Sequence, residues 1–475
     1  MIFTSFEYAG FLLAVVAVNW LLPTRFRPAW LLAASLAFYA SWSVPALAIL
    51  VAICLLVYVT GRALPGLNDR ARVVLTAVTV IIAAGSLAVF KILEAVGIDK
   101  ADTGLAAKFI VPVGLSFFSF QAISYVLDVQ RGEIEPSRSI IDVSLYLAFF
   151  PHLLAGPIVR AKVLIPKFHG TPRTPDAVQW AEAAELVLVG VFKKVALADP
   201  ILLLCVSPFH EPAAIGPAHA LVFLVAVLVG AYFDVTGYID IARGSAKFLG
   251  IDMQRNALMP LTKSTGYADF WRRWQLTVMM WFRDYVYKPL RGPEHRAWRE
   301  HLALFGTFFV LGIWHGFTLG WTLWGIASGL IIIAERSLQT RRSVKRRAQT
   351  KRARKERDKS LLPRPPNPYV SLTIALVLVM ATFPLVAAGN WADTLALYRS
   401  IWRFGGTQPS ADLLWMTMLG IIGVVVLDRR EARREAKAGH RDPVTIARAV
   451  AFGVMVTGII VYSGPAPQSF VYFAF

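Results

Sequence analysis

Residues 302–334 read LALFGTFFVLGIWHGFTLGWTLWGIASGLIIIA, an unbroken apolar run whose one ionisable side chain is His315. The hydrocarbon core of a bilayer is crossed by ~20 apolar residues, so a run this long reads as a membrane segment long enough to be a turn-broken pair. It carries an imidazole to membrane depth. A titratable group there costs at least ~2.5 kcal/mol on insertion scales and is tolerated where it faces a bundle interior or a water-filled cavity, which makes His315 a functional candidate. Its ordinary pKa near neutrality lets it take and return a proton. The alternative role is structural, a histidine hydrogen-bonded between helices, and the run alone does not choose between the two.

The rest of the chain extends this pattern. Of 475 residues, 56% are hydrophobic and 17% charged, and the mean hydropathy is +0.55. No single soluble core hides that much apolar surface, so a polytopic membrane protein is expected. Apolar runs lie near 6–22, 30–60, 73–95, 108–127, 140–158, 182–206, 217–233, 302–335, 369–388, 411–427 and 444–463. With two of them counted as pairs, roughly eleven to thirteen segments are expected, short or re-entrant ones included. Met1 to Pro23 lacks a basic leader and a small-residue cleavage site and reads as a retained first span. No soluble domain is evident, so residues 1–475 read as one integral-membrane domain.

The net charge of +19 is concentrated in loops. That is the positive-inside pattern of a plasma-membrane protein and not a nucleic-acid footprint. Between Arg341 and Arg364 there are 12 Lys/Arg against 2 acids, and Asp428 to Asp442 carries 6 Lys/Arg. Two basic cytoplasmic loops, 337–368 and 428–443, are therefore expected, with the N-terminus outside. The first suits anionic lipid or an acidic partner, or is simply topogenic. Cys54 and Cys205 both sit in apolar runs, which speaks against a disulfide framework or an acyl-cysteine.

Three polar-punctuated stretches interrupt the spans and are expected to hold the chemistry, because irregular backbone at membrane depth survives only where protein or a cavity satisfies it. They are FFPHLLAGPIVR (149–160), AYFDVTGYIDIARG (231–244) and the aromatic, basic stretch 256–301. In the first, His152 beside Pro151 is a candidate cavity-lining residue. The second contributes Asp234 and Tyr238. In the third, a helix from Ala268 onward aligns Trp271, Trp274, Val278, Trp281, Phe282 and Tyr285 along one stripe and pairs Asp269 with Arg273 and Asp284 with Lys288 at i,i+4. This describes an amphipathic helix lying in or dipping through the interface. Gln275 falls on its apolar side, where an unpaired amide costs ~1–3 kcal/mol, or at its edge, where it reaches water. Arg283, Asp284 and Tyr285 are headgroup contacts or substrate contacts. No GxxxxGK[ST], HExxH, GxSxG or CxxC motif occurs, and no two histidines stand at i,i+3 or i,i+4, so no metal site is expected.

At these same stretches the sequence resembles the membrane-bound O-acyltransferase superfamily, specifically its bacterial branch of alginate O-acetyltransferases and teichoic-acid D-alanyl-transfer proteins. The resemblance covers nearly the whole chain. It is carried by VPVGLSFFSFQAISYVLDVQRG (111–132), FFPHLLAGPIVR, YFDVTGYIDIARG, DFWRRWQLTVMMWFRDYVYKPL (269–290), GIWHGFTLGWTLWG (312–325) and the terminal FVYFAF (470–475). AGPIVR in place of the family's common SGPIDR tilts toward the exopolysaccharide O-acetyltransferases.

The resemblance implies an all-α fold, a ring of tilted helices around a central cavity with re-entrant pieces near 231–300. It implies that His315, the histidine of the family's WHG motif, is the catalytic residue, acting as general base on an acceptor hydroxyl or assisting an acyl-enzyme relay. The branch usually carries a second histidine in DFWRRWH; this chain has Gln275 there. An amide cannot serve as base at neutral pH but can donate to a thioester carbonyl or orient His315. Trp271, Trp274, Arg283, Asp284, Tyr285, Trp314, Asp234 and Tyr238 become candidates for the substrate and donor tunnel. The implied donor is an acyl thioester, acetyl-CoA or an acyl carrier, with no resident cofactor. Implied partners are membrane lipid, a polysaccharide acceptor, an extracytoplasmic esterase-like transferase and a cytoplasmic acyl-carrier protein, with no nucleic acid. Transfer of D-alanine or a longer acyl chain remains an alternative, and a transporter or inactive relative is another. Transporters show internal repeats, and none is evident between the halves.

Overall fold

The computed structural model describes residues 1–95, 112–154, 156–170, 174–256, 261–294, 296–356, 367–387, 390–403, 405–436 and 446–463. Val111, Ala155, the terminal 470–475 motif, and positions 357–366 and 437–443 of the basic stretches lie outside them. The described residues form helices and no strand, apart from one isolated bridge between Ile215 and Thr407. In chain order the helices are α1 (Phe6–Leu21), α2 (Arg27–Ala40), α3 (Val44–Ala63), α4 (Asp69–Ala95), α5 (Leu115–Gln130), α6 (Ile140–Ala148), α7 (Phe150–Leu153), α8 (Ala161–His169), α9 (Ala177–Phe192), α10 (Asp199–Leu204), α11 (Val206–His210) and α12 (Pro217–Phe248). They continue with α13 (Tyr267–Arg273), α14 (Leu276–Phe282), α15 (Lys288–Arg291), α16 (Ala297–His315), α17 (Leu319–Glu356), α18 (Pro368–Thr382), α19 (Pro384–Ala387), α20 (Trp391–Ser400), α21 (Ala411–Ala436) and α22 (Ile446–Tyr462).

The protein is an all-helical, polytopic membrane protein. Five stretches, 44–66, 69–93, 217–248, 369–387 and 411–430, are long and apolar enough to cross a membrane by themselves. Eleven to thirteen segments are expected from the sequence with short ones included; shorter apolar helices are formed by residues 6–21 and 450–462. The two longest runs are indeed pairs. Residues 30–60 divide into α2 and α3 where the Ser43 hydroxyl accepts from the Ala46 amide at 3.3 Å, and residues 302–335 divide into α16 and α17 just after His315.

Two features depart from the sequence expectation. AYFDVTGYIDIARG does not interrupt a span but lies wholly within the continuous helix α12. The basic stretches begin as helix and not as loops: α17 runs on to Glu356 and α21 to Ala436. Asp428, expected at a loop boundary, is fully buried in α21, and its carboxylate accepts the Leu261 amide at 2.8 Å.

The chain divides into two compact units, residues 1–203, 228–256 and 442–475 in the first and 204–227 and 257–441 in the second. In the first, aromatic side chains of α1, α2 and α7 form the core: Phe11 meets Phe150 edge-on at 5.2 Å and Tyr8 meets Phe38 at 5.9 Å. The proline-broken start of α7 is satisfied by Ser35, whose hydroxyl accepts the Phe150 amide at 3.1 Å. His152 is buried there, 3.0 Å from the Gln121 amide and edge-on to Phe149.

The same unit holds a buried ionic cluster. A π-helical turn, Lys193–Ala198, joins α9 to α10 and carries Lys193 and Lys194, each at most 1% exposed. Lys193 pairs with Asp240 at 2.6 Å, and Lys194 with both Asp234 at 2.6 Å and Asp199 at 2.7 Å. Tyr238 presents its ring 5.6 Å from the Lys194 ammonium. Asp234 and Asp240 thus find their counter-charges on the π turn that follows α9, so α12 stays helical through them. Removing Lys194 leaves the Asp234 carboxylate desolvated without that ammonium, at a cost of ~3–5 kcal/mol. Lys194→Met is expected to lower the thermal midpoint of the detergent-solubilised chain sharply, and Lys194→Met with Asp234→Asn to recover part of that loss.

Candidate active site

The second unit is organised on the hairpin of α16 and α17. At one end Arg336 of α17 pairs with Glu300 of α16; at the other lies His315. The helices close on each other through glycine. A Cβ on Gly312 would stand 2.5 Å from the Trp321 carbonyl oxygen and 3.0 Å from the Gly325 Cα, so only hydrogen fits. His315 is the last residue of α16, Gly316 turns the chain into extended backbone, and Thr318 starts α17 by accepting the Trp321 amide on its hydroxyl at 3.3 Å.

This turn wraps His315 in indole. Trp321 stacks on the imidazole with ring centres 4.5 Å apart and planes 12° from parallel. Trp314 lies at 4.3 Å and Trp324 meets the ring edge-on at 6.0 Å. His315 keeps partial exposure, with Phe317 and Leu319 beside it exposed.

Gln275 lies between α13 and α14, the helices that precede this hairpin. Three contacts seat α13 along one stripe of α17: the Ala268 amide donates to Glu335 at 2.8 Å, Tyr267 and Ser328 share a hydrogen bond of 2.8 Å, and Trp271 meets Trp324 edge-on at 5.4 Å. Beyond Arg273 the helix stops. Trp274 is extended and Gln275 adopts φ 46°, ψ 50°, making it the sole non-glycine residue of positive φ among the described residues; α14 then begins at Leu276. At the end of α14, Phe282 lies 6.1 Å from Trp314. Gln275 is thus bracketed in sequence by Trp271 and Phe282, whose respective partners Trp324 and Trp314 both contact His315.

The uninterrupted amphipathic helix expected from Ala268 is therefore wrong. Its two halves are pinned to different places, one to α17 and one to Trp314, and the link between them has to turn. Such a turn costs ~1–3 kcal/mol for a residue with a Cβ and is concentrated at sites where the surroundings over-determine it.

The other sequence candidates distribute as follows. Trp271 and Trp314 belong to the aromatic cluster and Trp274 to the break. Arg283 and Lys288 hold Asp284 at 2.9 and 2.8 Å in a π-helical turn, Arg283–Tyr287, and both cations are over half exposed; such pairs contribute at most ~1 kcal/mol. Tyr285 is buried against Trp281 at 5.1 Å. Asp234 and Tyr238 sit in the ionic cluster of the first unit. Burial pushes the Asp269 carboxyl up, but the Thr265 amide and Arg273 outweigh it and hold it below the usual carboxylate range. No group of three or more His, Cys, Asp or Glu suited to a metal ion occurs among the described residues. Sequence reasoning overlooked Trp321, Trp324 and Glu335, although WTLW places two indoles at i,i+3 beside His315, and it overlooked Lys193 and Lys194, adjacent ammonium groups inside an apolar run.

The sequence model described as MBOAT, membrane-bound O-acyltransferase family, matches residues 133–355, which include both Gln275 and His315. Among curated proteins the chain is similar to one named probable alginate O-acetylase from Pseudomonas putida, 32% identical over 71% of this chain and 71% of the relative. Its counterpart from Pseudomonas aeruginosa is 29% identical over 90% of this chain and 80% of the relative. A peptidoglycan O-acetyltransferase from Helicobacter pylori is 28% identical over 69% of this chain and 67% of the relative.

The left-handed backbone at position 275 generates a stability prediction. Gln275→Gly is expected to stabilise the chain by about 1 kcal/mol and Gln275→Val to destabilise it by about 1–2 kcal/mol, because glycine meets no Cβ penalty there and a β-branched residue meets the largest. Thermal unfolding of the three proteins in one detergent checks it, and equal midpoints would show that the turn is not left-handed.

Proposed function

The chain belongs to the membrane-bound O-acyltransferase family, and we propose that it carries an acetyl group from a cytoplasmic thioester to a hydroxyl of an exported or cell-envelope polysaccharide. The acceptor receives it directly or through an extracytoplasmic esterase-like transferase. The donor in this proposal is acetyl-CoA or an acylated carrier protein, and the chain sits in the plasma membrane with its basic stretches toward the cytoplasm, where activated acyl groups are made.

In this mechanism His315 takes the proton of the acceptor hydroxyl as its oxygen attacks the thioester carbonyl. The tetrahedral oxyanion accepts a hydrogen bond from the Gln275 amide, which cannot itself take a proton but is a good neutral donor. As the carbon–sulfur bond breaks, the imidazolium returns its proton to the leaving thiolate, so the proton count closes. The observation that supports this assignment is the bracketing of Gln275 between Trp271 and Phe282, whose partners Trp324 and Trp314 both touch His315. It links the segments on either side of Gln275 to the aromatic residues around His315, which favours a role for both in one site.

The test is the ester content of the host's envelope polysaccharides at matched membrane abundance. His315→Ala is expected to reduce one ester by ~10²-fold or more, the usual worth of a general base. Gln275→Ala is expected to reduce the same ester by ~10-fold or more, toward the range seen for lost oxyanion donors. Loss of an O-acetyl group names acetyl transfer, and loss of a D-alanyl group would replace it by D-alanyl transfer. An unchanged ester profile in His315→Ala would overturn the proposal.

A further inference from the structure

We infer that Trp321 is the positioning residue of His315, an inference that rests on the proposed role of His315 as base. Among the indoles described around the imidazole, Trp321 lies parallel to it, at 4.5 Å and 12°, whereas Trp314 is tilted by 53° and Trp324 by 86°. A parallel partner covers a ring face and itself lies outside the plane in which both nitrogens exchange protons. It therefore fixes the imidazole without competing for its chemistry.

Trp321 is itself held on several sides. Its amide donates to the Thr318 hydroxyl at 3.3 Å, its carbonyl abuts the Cα of Gly312, and Trp324 meets its ring edge-on at 5.8 Å. The indole reaches the imidazole by passing over Gly316, where a Cβ would stand 2.6 Å from the indole Cδ1. The glycine after the histidine is thus the space through which the stack forms, and the glycine three residues before it sets the depth of Trp321. A π-face also attracts a cation more than a neutral ring, so the stack strengthens when His315 becomes imidazolium, the state in which the acceptor oxygen is attacking. Trp321 acts through His315 and touches no reacting atom of the substrate in this assignment.

The experiment uses the full chain in membranes, with acetyl-labelled acetyl-CoA as donor and base-deacetylated envelope polysaccharide from the host as acceptor. Trp321→Leu keeps apolar bulk but removes the flat cation-binding face, and is expected to lower kcat by ~10-fold with the KM for acetyl-CoA within ~2-fold of wild type. Trp321→Phe restores a parallel ring and is expected to recover most of kcat. An independent disruption, Gly316→Ala, displaces the indole from the other side and is expected to match Trp321→Leu. Equal kcat in Trp321→Leu and wild type would overturn the inference, as would a Trp321→Leu defect confined to KM or to membrane abundance, or one that Trp321→Phe does not relieve. A fully active His315→Ala would instead remove the proposed function on which the inference rests.

Discussion

The close approach of α16 and α17 at Gly312 is the constraint on which the candidate site depends. Without hydrogen at that Cα the Trp321 carbonyl could not sit against it, and the indoles of α17 would stand off from the end of α16. The apolar run supplies no strong driving force for this contact inside a membrane, because lipid tails are as apolar as leucine. Close van der Waals packing between small residues does supply it. The Glu300–Arg336 pair closes the opposite end of the hairpin, so the crossing is held at both ends.

The first unit solves a different problem with charges. Lys193, Lys194, Asp234 and Asp240 are buried, with Asp199 partly buried at their edge, where none could be left alone. Desolvation makes such a cluster a poor source of net stability, yet mispairing it is costly, and that asymmetry favours one register of α9 against α12 over neighbouring ones. The π turn contributes by widening the helix locally, which lets two consecutive lysines reach carboxylates at different levels of α10 and α12.

Much of this was legible in the residues. The class of protein follows from the composition and the succession of apolar runs, and the division of residues 30–60 and 302–335 follows from their length. His315 was legible because an ionisable group in such a run needs a reason. The break at Gln275 was not legible, since neither glycine nor proline marks it. It is imposed by contacts of Trp271 and Phe282 with residues more than thirty positions away in sequence. AYFDVTGYIDIARG misled for the converse reason: its carboxylates looked like an interruption because their lysine partners stand some forty residues earlier.

Helix α17 runs from Leu319 to Glu356, 38 residues without a break, a rod about 57 Å long at 1.5 Å per residue. Beyond Gly329 it contains neither glycine nor proline, the usual sources of a hinge. Trp321 stands near one end, Ser328 and Glu335 seat α13 along the middle, and the arginine- and lysine-rich part forms the other end. A displacement imposed on the cationic end meets neither glycine nor proline until Gly329, and there the helix is already tied to α13 through Ser328 and Glu335 and to α16 through Arg336.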